Sequence, residues 1–184
     1  MLLREAMEIV HAHQNSAPVQ TVPLARSLGL EVYRTVELPN DISGMIIKDS
    51  EQGGPSGYAI FVNANNHTYR RRFTIAHEIG HFLLHRHLIG DGIMEDALLR
   101  AEGLSNRVEA QANKLAADIL MPWHLIKECQ DAGEVSIEDL ASRFEVSRDA
   151  MSIRLLGLSY SRARDLQRES VADVQSPLLE FDAT

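Results

Sequence analysis

The chain has 184 residues, 45% hydrophobic and 24% charged, which suits one compact globular domain with a sizeable core, or one domain plus a small appendage. Its net charge of −8 is the wrong sign for a protein that grips nucleic acid over a broad surface. A single cysteine, Cys129, excludes an internal disulfide and any multi-cysteine metal site, and no apolar run is long enough for a membrane span.

The first residues place Glu5 and Glu8 among Leu3, Ala6, Met7, Ile9 and Val10, so they read as an amphipathic helix over 2–13 and not as a signal peptide. The expected location is therefore cytoplasmic. Pro18 and Pro23 bracket a turn, and Leu24–Gly29 reads as a short helix closed by its glycine. Leu30–Val36 alternates as a strand does. Ser43–Lys48 and Tyr58–Asn63 read as two more strands, joined by the glycine-rich loop 49–57. These predict a small antiparallel sheet. The polar stretch Ala64–Thr68 then offers several caps for the helix that follows.

That helix carries His77-Glu78-Ile79-Gly80-His81. Residues four apart share a helix face, so His77 and His81 present two imidazoles to one point, a common way to hold zinc. Glu78, one position round, can reach a water at that point and take its proton. The apolar neighbours Phe73, Ile75, Ala76, Phe82, Leu83 and Leu84 bury the helix, and buried imidazoles and carboxylates need partners. His85, one turn past His81, reads as a helix-end or supporting histidine, and His87 and His124 as surface residues.

A catalytic zinc ion takes three protein ligands and keeps a fourth position open, so one more donor is required. Residues 88–104 read as either a loop with a short helix or a mobile flap. Beyond them, Val108, Ala112, Leu115, Ala116, Ile119 and Leu120 mark a helix stopped by Pro122. Glu109 lies on its small-residue face, which allows close approach to the His77 helix, and Asn113, four residues on, is placed to orient a ligand. The competing reading of Glu109 is a capping box over Asn106–Glu109. From spacing alone the two stand level. Asp91, Glu95, Asp96, Glu102 and Asp118 are weaker rivals for the third ligand.

Gly133 breaks the chain again. Ser136–Ser147, followed by Ala150, Met151 and Leu155, has the spacing of two short helices joined by a tight turn, with Ser147 capping the second. Over 136–160, Arg143, Arg148 and Arg154 face four acidic residues, which argues for packing or substrate docking over DNA binding. Residues 169–184 read as a loose tail.

The runs Arg71–His85 and Glu109–Pro122 together resemble the ImmA/IrrE family of metallopeptidases, and the similarity reaches over roughly residues 1–160. Gln111 and Leu115 depart from the family's usual acidic residue and phenylalanine. The resemblance implies a metal site in which Glu109 joins His77 and His81, with Glu78 catalytic. It implies an α+β fold: a small antiparallel sheet on the active-site helix and a second ligand helix. On this reading 1–130 is the zinc metallopeptidase domain, 131–168 a helix-turn-helix-like segment and 169–184 the tail. The implied cofactor is Zn2+, with Mn2+ able to occupy the same ligands. The implied activity is site-specific cleavage of a regulatory protein, such as a helix-turn-helix (XRE-type) repressor or antitoxin encoded nearby. The alternative is a non-proteolytic anti-repressor or toxin–antitoxin component that acts by binding. Resting the extended substrate along Tyr58–Asn63 completes the expectation.

Overall fold

A computed structural model describes residues 2–89, 104–134 and 136–157. Two short helices, α1 (Leu3–Ala12) and α2 (Thr21–Ser27), precede the strands β1 (Leu30–Thr35), β2 (Gly44–Lys48) and β3 (Tyr58–Asn63). Then come α3 (Thr68–Leu84), a single 3-10 turn (Arg86–Leu88), α4 (Leu104–Leu120), α5 (Trp123–Asp131), α6 (Ile137–Phe144) and α7 (148–157). The α+β class is as expected. The flap or loop expected over 88–104 falls mostly, and the C-terminal tail wholly, outside the described residues.

The sheet is mixed, where an antiparallel one was expected. Its order is β1-β3-β2, with β3 parallel to β1 and antiparallel to β2. The reason is visible in β3, where Tyr58, Ala59, Ile60 and Val62 are all buried. A strand apolar on both faces must be central, so β2 takes the far edge and β3 returns between its predecessors. Asn63 pins the crossover that makes this possible. Its side-chain amide donates to the carbonyls of Pro39 (3.1 Å) and Ile42 (3.0 Å).

Pro23, expected in a turn, lies in the first turn of α2, where its missing N–H costs nothing. Gly29 follows that helix at φ +84°, a conformation that L side chains rarely adopt. His67 caps α3, its Nδ1 accepting from the Tyr69 amide at 3.3 Å. Helix α5 had no counterpart among the expected elements, although its buried Leu125, Ile126 and Cys129 carry a helical interval.

Helices α6 and α7 form the expected tight pair. Ser136 caps α6 by accepting from Asp139, Glu145 turns the chain at φ +52°, and Ser147 accepts from the Ala150 amide at 3.1 Å. The pair is tied to the rest of the protein. Leu140, Phe144, Val146 and Met151 belong to the same buried cluster as Ile75 and Ile79 of α3. Arg72, buried on α3, donates to the carbonyls of Val19 (3.0 Å) and Phe144 (3.4 Å) and pairs with Glu145 at 3.2 Å. One side chain thus joins the N-terminal segment, α3 and the turn of the pair.

Candidate metal centre

Helices α3 and α4 pack along much of their length, and it is small residues that let them close. Ala112 and Ala116 are fully buried on α4. Opposite them stands Gly80, where an added Cβ would meet the Ala112 carbonyl oxygen at 3.0 Å and its Cα at 3.1 Å. An added side chain at position 80 would therefore press on the Ala112 backbone, which would have to give by a few tenths of an ångström.

This approach brings His77, His81 and Glu109 together, with one donor atom from each within 4.8 Å of the others. The two imidazole Nε2 atoms are 2.9 Å apart. The Glu109 carboxylate lies 3.3 Å from the His77 Nε2 and 3.4 Å from the His81 Nε2. A tetrahedral ion with bonds of about 2.0–2.2 Å spaces its donors roughly 3.3–3.6 Å apart; the two nitrogen–oxygen separations match that spacing, and the nitrogen–nitrogen one is shorter by about 0.4 Å. His77 Nδ1 stands 2.9 Å from the Asn113 side-chain oxygen. That hydrogen bond puts the ring proton on Nδ1 and leaves the Nε2 lone pair facing the shared point.

Glu109 has no capping role. Helix α4 begins at Leu104, upstream of the supposed cap, and the Glu109 carboxylate is turned to the histidines. The two imidazoles, His77 first, hold it far below the usual carboxylate range. Burial pulls the His77 imidazole down, but Glu109, Glu78 and Asn113 outweigh it and leave His77 above its ordinary value. Glu78 is buried, and that burial raises its pKa against the opposing pull of His77, of His81 and of a hydrogen bond from the Ile46 amide on β2.

The remaining candidates sort cleanly. His85 is buried at the end of α3, its Nε2 3.0 Å from the Gln111 side-chain oxygen, which gives Gln111 a partner in place of a charge. His87 is exposed, and His124, also exposed, meets the Gln14 carbonyl at 2.8 Å. Asp118 is paired with Arg154 at 2.5 Å, away from the histidines. Asp91, Glu95, Asp96 and Glu102 lie outside the described residues.

Strand β3 cannot hold a peptide, because both its edges are paired. Among the described strands the outer edges of β1 and β2 have no strand neighbour, and β2 is the one whose Ile46 amide meets Glu78. The more strand-like segment drew the expectation, while the weaker one lies outermost. Gly80 and Arg72 were given no role from the sequence, although Gly80 lies inside the histidine motif and Arg72 five residues before it.

A cleft of about 1790 Å3 opens from His77 and Glu78. Its walls come from the N-terminal half of α3, the C-terminal half of α4 and, opposite them, α7. Trp123 and Met121 line it at the junction of α4 and α5.

A helix-borne His-Glu-x-x-His pair with a carboxylate supplied from a second helix defines a protein of the metallopeptidase class. Similarity to known proteins agrees and narrows it. The sequence model of the IrrE N-terminal-like domain, peptidase family M78, matches residues 25–156, and the chain belongs to that family. It is 37% identical over 99 residues to the radiation response metalloprotease IrrE of Deinococcus radiodurans. That match covers 50% of this chain and 29% of the relative, so the chain spans under a third of that protein. A Mycobacterium tuberculosis transcriptional regulator shares the fold at a TM-score of 0.57 and 18% identity, over 83% of this chain and 46% of that one. No helix among the described residues is long and apolar enough to cross a membrane.

Proposed function

We propose that this chain is a cytoplasmic, zinc-dependent endopeptidase that cuts a regulatory protein at a specific site, the substrate being an XRE-type helix-turn-helix repressor or antitoxin encoded nearby. The observation that carries the reading is the convergence of His77, His81 and Glu109 with the buried carboxylate of Glu78 beside them. On this reading His77, His81 and Glu109 hold the ion and Glu78 is the catalytic base. The bound ion supplies Lewis acidity, polarising the scissile carbonyl and lowering the pKa of water toward about 7.

Glu78 takes a proton from the attacking water and delivers it to the leaving amine. Its raised pKa suits both steps, since a group with a pKa nearer neutrality accepts and returns a proton more evenly than an exposed carboxylate. Asn113 fixes the His77 ring. The outer edge of β2 offers backbone groups to an extended peptide lying across the site. DNA is a poor partner for the α6–α7 pair, because Arg143, Arg148 and Arg154 are each engaged by Glu134, Glu138 and Asp118.

The test is co-expression with the neighbouring repressor, read by intact mass. Wild type should yield two defined fragments and Glu78→Gln none, a loss of about 10²–10⁴-fold in rate. Derepression without fragments, equal in both, would leave a binding-only regulator.

A further inference from the structure

We propose that the cleft beyond Glu78 is a helix-binding groove, and that it takes an amphipathic helix of the partner with an apolar stripe and acidic flanks. The groove's role rests on the peptidase reading, because it opens onto the catalytic carboxylate.

Backbone hydrogen bonding decides the form of the occupant. Past Gly44, at the end of β2, the lining comes mainly from helices, whose interior amides and carbonyls are already satisfied within each helix. A peptide lying there finds no row of strand partners, so it must satisfy its own buried amides and carbonyls. A helix does this. An extended segment does so only at the β2 edge. The dimensions agree: a cylinder about 10 Å across and filling the cleft is on the order of four turns long.

The lining chemistry specifies the helix. Phe73, Met121, Trp123, Val146, Ala150 and Ile153 supply apolar surface from α3, from α7 and its turn, and from the α4–α5 junction. Ile153 is 71% exposed on α7, an apolar side chain left in water at the groove. Arg70, Lys114 and Arg154 line the groove with Asp118, Asp149 and, at the metal-centre end, Glu78, in a chain of net charge −8. Arg154 is neutralised by Asp118 and stacks over Trp123 at 3.9 Å. Arg70 and Lys114 pair with no carboxylate among the described residues, which leaves Asp149 as the single opposing charge away from the metal centre. An apolar stripe flanked by Glu or Asp complements that arrangement.

The face of α7 that a DNA reader would turn outward here lines the cleft, held there by Arg72 and Arg154. The second helix of the pair thus acts as a specificity wall.

Trp123 is the only tryptophan and lines the groove, so its emission reports occupancy. The full chain carrying Glu78→Gln is titrated with a tryptophan-free 16-residue peptide, leucine at helical i, i+3, i+4, i+7 spacing and glutamate on the flanks. Controls are the same peptide with lysine for glutamate and a scramble of the same composition. The acidic amphipathic peptide should shift Trp123 emission, gain helical circular dichroism on binding and bind about tenfold tighter than either control. Ile153→Asp and Lys114→Glu, both at exposed positions, should each weaken it about tenfold, or roughly 1.4 kcal/mol, with unchanged melting. Equal binding of the scramble, binding without helix gain, or indifference to both substitutions would overturn the proposal. So would concentration-dependent emission changes without peptide, matched by dimer in sedimentation, which would give the groove to a second copy. No arm requires cleavage, so a failed peptidase reading would show separately in the co-expression assay.

Discussion

Replacing Gly80 with alanine adds one methyl group where α3 and α4 lie closest. The new Cβ would sit 3.0 Å from the Ala112 carbonyl oxygen, 3.1 Å from its Cα and 3.4 Å from its carbonyl carbon. Comfortable carbon–carbon separation begins near 3.5 Å, so the two carbons would be too close by roughly 0.4 Å. All of these atoms are backbone of a fully buried residue, so no side-chain rotation relieves them. The helices must part by about that amount, while metal sites tolerate donor displacements of only about 0.2 Å. Glu109, less than one turn from Ala112, moves with α4. In chelator the variant gains about 1 kcal/mol of helix propensity and loses about 1–3 kcal/mol to overpacking, a net change near zero or unfavourable by up to about 2 kcal/mol. Metal affinity should fall about tenfold or more. Urea denaturation in chelator measures the first quantity and competition against a chromophoric chelator the second. A variant stabilised by about 1 kcal/mol with undiminished metal affinity would refute the close-packing argument.

Asn113→Ala should weaken metal binding by about 10–100-fold, because the His77 ring loses the group that fixes its proton on Nδ1; equal affinity by the same competition assay would remove Asn113 from the site. Arg72→Met should lower urea stability by about 2–3 kcal/mol, since the Val19 and Phe144 carbonyls and Glu145 lose their partner, and a change under about 0.5 kcal/mol would contradict that anchoring role. Metal affinity should decline as pH falls from about 8 to about 5: the His77 imidazole is raised above its ordinary value by Glu109 and Glu78, and its protonated form cannot ligate. A titration flat over that interval would count against His77 as a ligand. The full chain should give no salt-sensitive gel shift with duplex DNA at physiological ionic strength, because every arginine of the α6–α7 pair already has a carboxylate partner.

What the sequence made legible was chemistry at short range. The His77/His81 spacing, the Ser147 cap and the Pro122 stop are local patterns, and each appears where its spacing put it. From spacing alone Glu109 stood level between ligand and cap, because one interval serves both uses; the family resemblance favoured the ligand, and the start of α4 and the direction of the carboxylate agree with it. Strand order was harder. It depends on which strand must hide both faces, and the continuous apolar run of β3 carried that information without being read as a central strand. Least visible were residues that act between distant segments. Arg72 joins Val19 to Phe144 and Glu145, and no periodicity in the chain announces such a bond. The cleft between α3 and α7 belongs to the same category, since it exists only once the helix pair is docked.

The central claim is a three-residue metal centre built across two helices, and metal content by elemental analysis tests it most directly. The full chain and Glu78→Gln should each carry close to one zinc per chain, because Glu78 moves a proton and does not hold the ion. Glu109→Ala should fall well below that under identical purification. Full occupancy in Glu109→Ala would contradict the account.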